Sequence, residues 1–137
     1  MKYLLDTMVV SELIKRRRNP SVIAWLADRK FDEIFISVLT IGEINRGISL
    51  QRNINLEFAL RLDAWFQNFI KTYKKNMLPV SEEIALIFGS ISALTGNAGI
   101  DNLIAATAKV HNLLVVTRNI RHFQHTGVYC VNPWEKA

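Results

Sequence analysis

Five short apolar runs, rich in β-branched and aromatic residues, predict the strands of this chain. They cover Lys2 to Leu5, Ile34 to Ile36, Met77 to Val80, Leu113 to Thr117 and Val128 to Val131. Segments with a helical pattern separate most of these runs. Because strands that alternate with helices are typical of layered α/β folds, we predict an α/β domain with a largely parallel sheet.

The helical segments carry apolar residues at three- and four-residue steps. The longest pattern runs from about Leu56 to Tyr73, and its broad aromatic face is expected to pack in the core or against a second copy of the chain. Ser81 and Gly96 are expected to cap the two ends of one helix, and Pro20 to stand in the first turn of another. A further helix is predicted from Asp101 to Asn112.

Composition favours a single cytoplasmic domain. The chain has 137 residues, half of them apolar, which suits one domain with its own core over residues 1–137. The single cysteine, Cys130, lies in an apolar run and indicates a reducing compartment. No apolar run approaches the roughly 18 residues of a membrane span, and Asp6 interrupts any signal-peptide core, so neither membrane insertion nor export is expected.

The net charge favours a polyanionic partner. Seventeen Lys and Arg against twelve Asp and Glu give a formal charge of +5, which suits nucleic acid or an acidic protein. The densest basic run, Lys15 to Arg18, is either a solvated helix end whose cations complement the helix dipole or part of a track for a polyanion.

Three acidic residues are out of place in their surroundings. Asp6 follows the apolar run YLL, Glu43 lies in FISVLTIGEINRGI, and Asp101 precedes NLIAATA. Each is expected near the start of a helix, where an acid can simply cap exposed backbone amides. Thr40 to Glu43 also matches a capping box. Capping alone is therefore one interpretation of these acids.

The other interpretation is a shared cation site. In an open α/β sheet the carboxyl ends of neighbouring strands converge on one crevice, where the three acids can meet. Each pair of carboxylates at ~5 Å would repel by about 3 kcal/mol, which protonation or a bound divalent cation would offset. Oxygen ligands with no Cys or His cluster nearby suit Mg²⁺ or Mn²⁺, and a basic surface around them suits a phosphodiester substrate.

Four segments of the chain are similar to motifs of a known family: LLDT, TIGEINRG, DNLIAATA, and VVTRNIRHF with GVYCVNPW. In this order and spacing they resemble the PIN-domain ribonucleases, in particular the VapC and FitB-like toxins of prokaryotic toxin–antitoxin pairs. The resemblance implies a three-layer α/β/α domain with a central, mostly parallel sheet of about five strands, usually dimeric. It also implies Mg²⁺- or Mn²⁺-dependent endonucleolytic cleavage of RNA, commonly tRNA or rRNA, by a toxin that a cognate VapB-like antitoxin blocks.

The resemblance also assigns residues. It makes Asp6 and Asp101 direct metal ligands, and Glu43 a residue that binds metal or orients the attacking water. His122 stands where the family often has a fourth acid. It is either a loop histidine of no consequence, or a neutral ligand for an ion such as Mn²⁺, or the sign of a weakened second metal position. Met8 replaces a commonly polar residue and is expected to turn an apolar side chain into the first helix.

Polar and basic residues complete the expected site. Thr7 and Thr117 match polar positions of the family that line the pocket. Asn119 does so too, and is expected to act with the three acids by touching a ligand acid or the scissile phosphate. Arg118 and Arg121 flank Asn119 in a loop at a strand's end, where we expect RNA contact.

Two alternatives stay open. Arg46 follows Glu43 by three positions, so it either pairs with Glu43 on one helical face or contacts RNA. For the whole chain, the alternative to an enzyme is a non-catalytic RNA- or protein-binding α/β module in which the acids only cap helices. A phospho-accepting receiver domain is disfavoured because the middle strand ends in MLPVS, without the Asp that such a domain needs.

Overall fold

All five predicted strands form, and most are shorter than their apolar runs. In the computed structural model, which describes residues 1–135, they are β1 (Tyr3–Leu5), β2 (Ile34–Ser37), β3 (Met77–Leu78), β4 (Leu114–Val116) and β5 (Cys130–Val131). They pair in parallel in the order β3-β2-β1-β4-β5. The prediction of a parallel α/β sheet is confirmed, and its strands all end at the same edge.

The described residues also form six α-helices: α1 (Thr7–Ile14), α2 (Pro20–Ala27), α3 (Val38–Arg52), α4 (Leu56–Tyr73), α5 (Glu82–Thr95) and α6 (Ile100–His111). Short 3-10 helices cover Phe31–Glu33, Lys74–Asn76 and Ile120–Thr126. The predicted caps are present, because Ser81 accepts a hydrogen bond from the Ile84 amide and Gly96 ends α5 with a φ of 69°. Within residues 1–135, every helix is too short or too polar to span a bilayer.

The register of the sheet decides which side chains meet at its carboxyl edge. Leu5 at the end of β1 is aligned with Ile36 in β2 and with Val116 in β4. The next residue of β1, Asp6, donates its amide to the Val116 carbonyl at 2.9 Å. Since Thr117 follows Val116, Asp6 and Thr117 emerge side by side.

The core has one cluster on each side of the sheet, which confirms the three-layer prediction. Tyr3 and Leu5 point to the side covered by α1 to α4, and Leu4 points to the side covered by α5 and α6. On α4, Phe66 and Phe69 are buried in the first cluster. The aromatic face of α4 therefore belongs largely to the core.

Candidate active site

Asp6, at the carboxyl end of the central strand, both caps a helix and borders a crevice. Its Oδ1 accepts a hydrogen bond from the Thr7 amide at 2.8 Å, so the side chain caps α1. Its Oδ2 accepts a hydrogen bond from Thr117 Oγ1 at 2.9 Å. Only 7% of the residue is exposed. The carboxylate is thus buried and fixed by donors that follow two different strands.

Burial is the main reason why the pKa of Asp6 is raised above its ordinary value. Hydrogen bonds from Thr117 and Thr7 act in the opposite direction, because they stabilise the charged form. The negative charges of Asp101 and Glu43 raise the pKa further. Asp6 therefore lies close enough to both Asp101 and Glu43 for their charges to act on its carboxylate.

Glu43 reaches this crevice from inside a helix. α3 begins directly after β2, and Ser37 caps it by accepting a hydrogen bond from the Leu39 amide at 3.1 Å. The predicted capping box of Thr40 and Glu43 is therefore wrong, since both residues lie within the helix and one turn apart. The Thr7 hydroxyl donates to Glu43 Oε1 at 2.5 Å and lies 3.3 Å from Thr40 Oγ1. Thr7 consequently links Asp6, through its amide, to Glu43.

Asp101 lies in the first turn of α6 and does not cap it. The N-cap of α6 is Gly99, and Asp101 is the second residue of the helix. Its Oδ2 lies 3.0 Å from His122 Nδ1, in the 3-10 helix Ile120–Thr126. About half of each side chain is exposed. This contact places His122 beside a predicted ligand acid, which disfavours a loop histidine of no consequence.

The donor set of the crevice suits a hard divalent cation, because the three predicted ligands offer only carboxylate oxygens. Crowding of like charges around Asp6 is also what a bound cation would relieve. Residues 1–135 nevertheless contain no group of three or more His, Cys, Asp or Glu side chains close enough to hold a metal ion together. Joint ligation by the three acids therefore stays a prediction.

Asn119 does not make one of its expected contacts. Its backbone amide donates to Thr117 Oγ1 at 3.0 Å, and its side-chain amide donates to Met8 Sδ at 2.9 Å. No hydrogen bond joins the Asn119 side chain to any of the three acids in the described part of the chain, so the first of its two expected contacts is not formed as a hydrogen bond in this structure. Contact with a phosphate stays a prediction. Met8, expected to turn into the first helix, instead meets the Asn119 loop.

Some of the basic residues form ion pairs within the chain, and others are exposed to solvent. Lys15 pairs with Glu12 at 3.0 Å, whereas Arg16 and its neighbours to Arg18 are exposed. An ion pair of Arg46 with Glu43, one of the two alternatives for Arg46, is absent from the described residues, and Arg46 is exposed. The internal-pair interpretation of Arg46 is therefore wrong, and its side chain is open to a partner.

A cavity of about 300 Å³ has His122, the partner of Asp101, in its lining. Arg118 lies with its guanidinium 5.3 Å from the centre of the Trp134 ring, which holds it at the rim by a cation–π contact. The lining is mostly polar and carries three basic side chains, with one acid at the end of the described chain: Arg118, Asn119, Ile120, Arg121, His122, Asn132 and Glu135. Four predicted site residues therefore share one cavity.

Two structural residues near the site escaped the sequence analysis. Glu12 is buried and accepts a hydrogen bond from the Asn19 amide at 3.1 Å besides its pair with Lys15. Asn102, also buried, donates to Thr95 Oγ1 at 3.0 Å and so holds the loop before Asp101. The spacing of Glu12 and Lys15 was a signal for their pairing, but nothing local indicated that Glu12 would be buried.

Comparison with known proteins identifies the family that shares this architecture. A family model described as PIN domain matches residues 3–128. Toxin FitB of Neisseria gonorrhoeae is 33% identical over 96% of this chain and 97% of that protein. VapC ribonuclease Y4jK of Sinorhizobium fredii is 28% identical over 98% of this chain and 99% of that protein. The crystal structure of FitAcB from Neisseria gonorrhoeae superposes with a TM-score of 0.90 at 31% identity, covering 98% of this chain and 99% of that one.

The chain therefore belongs to the PIN-domain family, as its four motifs predicted. Its three-layer fold is the one found in the FitAcB structure.

Proposed function

We propose that this protein is a metal-dependent endoribonuclease, the toxin of a toxin–antitoxin pair, and that it hydrolyses phosphodiester bonds of tRNA or rRNA. The observation that carries the proposal is the contact of Thr7 with both Asp6 and Glu43 at the carboxyl edge of the sheet. The charges of Glu43 and Asp101, which raise the pKa of Asp6, agree with it. The basic cavity that His122 lines supports a polyanionic substrate. The likeness to Toxin FitB and to a VapC ribonuclease supports the same activity.

Asp6, Asp101 and Glu43 would hold Mg²⁺ or Mn²⁺ in the crevice that Asp6 borders. Such an ion supplies an activated water and stabilises charge on the leaving oxygen. The chain itself supplies fixed carboxylates, because Thr7 and Thr117 hold both oxygens of Asp6. The position of Asp6 is therefore set by the fold.

The remaining residues have separate roles in the proposed reaction. Glu43 is held at Oε1 by Thr7, and its other oxygen would orient the attacking water towards phosphorus. His122 would hold Asp101 through Oδ2. Arg118 and Arg121 would bind the phosphates that flank the scissile bond, as their shared cavity favours.

The alternative of a non-catalytic module rests on acids that only cap helices. Asp6 does cap α1, but Ser37 caps α3 and Gly99 stands at the N-cap of α6. Capping therefore does not account for Glu43 or Asp101. This favours the enzyme.

The activity test is cleavage of purified tRNA and rRNA. We expect cleavage with Mg²⁺ or Mn²⁺ and none in EDTA. Asp6→Asn and Asp101→Asn should each lower the rate at least about 100-fold, because each removes a charge that holds the ion. The matched control is Asp32→Asn, an exposed acid outside the crevice, which should cut at the wild-type rate.

Cleavage that survives both substitutions in a folded protein would exclude the proposed nuclease. A thermal shift assay tests the metal separately. Mg²⁺ should raise the Tm of the wild type more than that of Asp101→Asn, because ligand binding stabilises only a protein that binds it. Equal shifts would mean that the acids do not form a metal site.

The proposed partners are a cognate VapB-like antitoxin and a second copy of the chain. A cavity of about 470 Å³ between α1 and α4, called here the α1–α4 cavity, has an apolar floor and a basic rim: Ile14, Lys15, Arg16, Phe58, Arg61, Leu62 and Trp65. Its chemistry fits an antitoxin segment with apolar side chains and acidic flanks. Exposed Leu86 and Leu94 on α5 are candidate contacts of a homodimer.

A further inference from the structure

Thr40 is a fully buried polar residue behind the crevice. None of its surface is exposed, and it lies in α3 one turn before Glu43. In the described part of the chain its hydroxyl has one hydrogen-bond partner, the hydroxyl of Thr7 at 3.3 Å. A buried hydroxyl that lacks a partner is costly, so this contact fixes the orientation of both groups.

The direction of the hydrogen bonds follows from counting protons. A threonine hydroxyl carries one proton and can also accept. A carboxylate oxygen accepts, and Glu43 Oε1 lies 2.5 Å from Thr7 Oγ1, so the Thr7 proton goes to Glu43. The contact between Thr7 and Thr40 must then use the Thr40 proton. Thr40 donates to Thr7, and Thr7 donates to Glu43.

We propose that Thr40 is a positioning residue that holds Thr7 in the rotamer in which its hydroxyl binds Glu43. Thr40 is out of reach of any substrate because it is fully buried, and it acts only through Thr7. The consequence for catalysis rests on the proposed ribonuclease activity. The consequence for the rotamer of the Thr7 side chain does not depend on that activity.

Two substitutions separate this role from simple packing. Thr40→Ser keeps the hydroxyl and removes a methyl group, whereas Thr40→Val keeps the branched shape and removes the hydroxyl. Thr107→Val is the matched control, because Thr107 is also fully buried in a helix but donates to the Leu103 carbonyl of its own helix at 2.8 Å. If Thr40 only fills space, activity should fall when the methyl group is removed. If Thr40 positions Thr7, activity should fall when the hydroxyl is removed.

In the RNA cleavage assay, Thr40→Val should lower kcat about 3- to 10-fold, less than the loss of a direct partner of a ligand residue, because Thr40 acts only through Thr7. KM should stay unchanged, because the residue does not contact RNA. Thr40→Ser and Thr107→Val should keep the wild-type kcat. Equal kcat in Thr40→Val and wild type, or a loss that Thr40→Ser shares, would overturn the proposal.

A second measurement needs neither metal nor RNA. Three-bond couplings of the Thr7 methyl carbon report its χ1 rotamer, and we expect a single rotamer in the wild type, Thr40→Ser and Thr107→Val, and averaging in Thr40→Val. A single Thr7 rotamer in Thr40→Val would overturn the positioning role. If the wild type cut no RNA, the proposed function would fail, while these couplings would still decide the role of Thr40.

Discussion

Asp6 shows how a buried carboxylate is kept ionisable at the end of a core strand. Burial opposes its charge, and the Thr7 amide and the Thr117 hydroxyl each bind one of its oxygens. These donors do not cancel the effect of burial and of the neighbouring acids, since the pKa stays above its ordinary value. The folded protein therefore accepts a proton at Asp6 more readily than the unfolded chain does.

The first stability prediction follows from the upward direction of this pKa shift. Because the pKa of Asp6 is raised in the folded state, its charge lowers stability as pH rises through that pKa. Asp6→Asn has no such charge, so in EDTA its Tm should exceed that of the wild type at neutral pH. The difference should shrink as pH falls through the raised pKa, as thermal unfolding at several pH values would measure.

Asp32→Asn is the control for that series, since Asp32 is an exposed acid. Its Tm should follow the wild type over the whole range. A Tm for Asp6→Asn that stays at or below the wild-type value at neutral pH in EDTA would contradict the prediction.

For individual residues, the sequence located the three acids but not their immediate partners. The run YLLD was enough to predict an acid after a core strand, because both features are local. The capping box failed because β2 continues to Ser37 and α3 follows without a loop, which a four-residue motif cannot reveal. The bond between Thr117 and Asp6 joins residues 111 positions apart, so it depends on the pairing of β1 with β4.

The joint between α1 and α2 is held by a carboxylate that the helical pattern did not single out. Burial alone would raise the pKa of Glu12, but hydrogen bonds from Lys15 and from the Asn19 amide outweigh it, and the pKa is lowered. Asn19 in turn caps α2 by accepting from the amides of Ser21 and Val22. One acid therefore fixes the end of α1 and the start of α2.

We expect Glu12→Gln to destabilise the protein by about 1 kcal/mol, because the hydrogen bonds it weakens are made to a charged group. Urea unfolding at neutral pH would measure the loss. Since the pKa of Glu12 is lowered on folding, its contribution is present above the ordinary pKa and is lost as pH falls through the lowered one. The difference between variant and wild type should therefore vanish in acid.

Glu57→Gln provides the comparison, because Glu57 is an exposed acid in the first turn of α4. It should change the free energy of unfolding by only a few tenths of a kcal/mol. A Glu12→Gln variant as stable as Glu57→Gln would contradict the proposed joint.

Elements with strong periodicity were predicted best. The α4 range was predicted as it forms, since its apolar face recurs over 18 residues. The fifth strand was predicted over Val128 to Val131, but only Cys130 and Val131 pair with β4. The length of this two-residue strand depends on its backbone pairing with β4, which the apolar character of the segment cannot predict.

For the molecule as a whole, basic residues line two cavities with different chemistry. One has His122 in its lining and is mostly polar, and the other is the α1–α4 cavity with its apolar floor. The polar cavity suits phosphates, and the α1–α4 cavity suits a protein segment. This division agrees with separate surfaces for RNA and for an antitoxin.

The antitoxin surface can be tested by charge reversal at exposed positions. Arg16→Glu combined with Arg61→Glu should weaken binding of the cognate antitoxin at least about 10-fold, because both arginines line the cavity that would meet acidic flanks. Lys71→Glu, an exposed position at the other end of α4, should bind as the wild type does. Calorimetry would measure both affinities, and equal affinities would exclude this cavity as the contact.

The strand order also determines when the crevice comes into existence. β1 precedes the other four described strands in the chain and is the central one in the sheet, whereas β4, one of its two neighbours, is the fourth strand to be made. Until β4 leaves the ribosome, Asp6 lacks the Thr117 hydroxyl, which is one of the two donors that fix its carboxylate. A nascent chain therefore carries the first acid long before it carries a site, and whatever the crevice does begins only after β4 has been made.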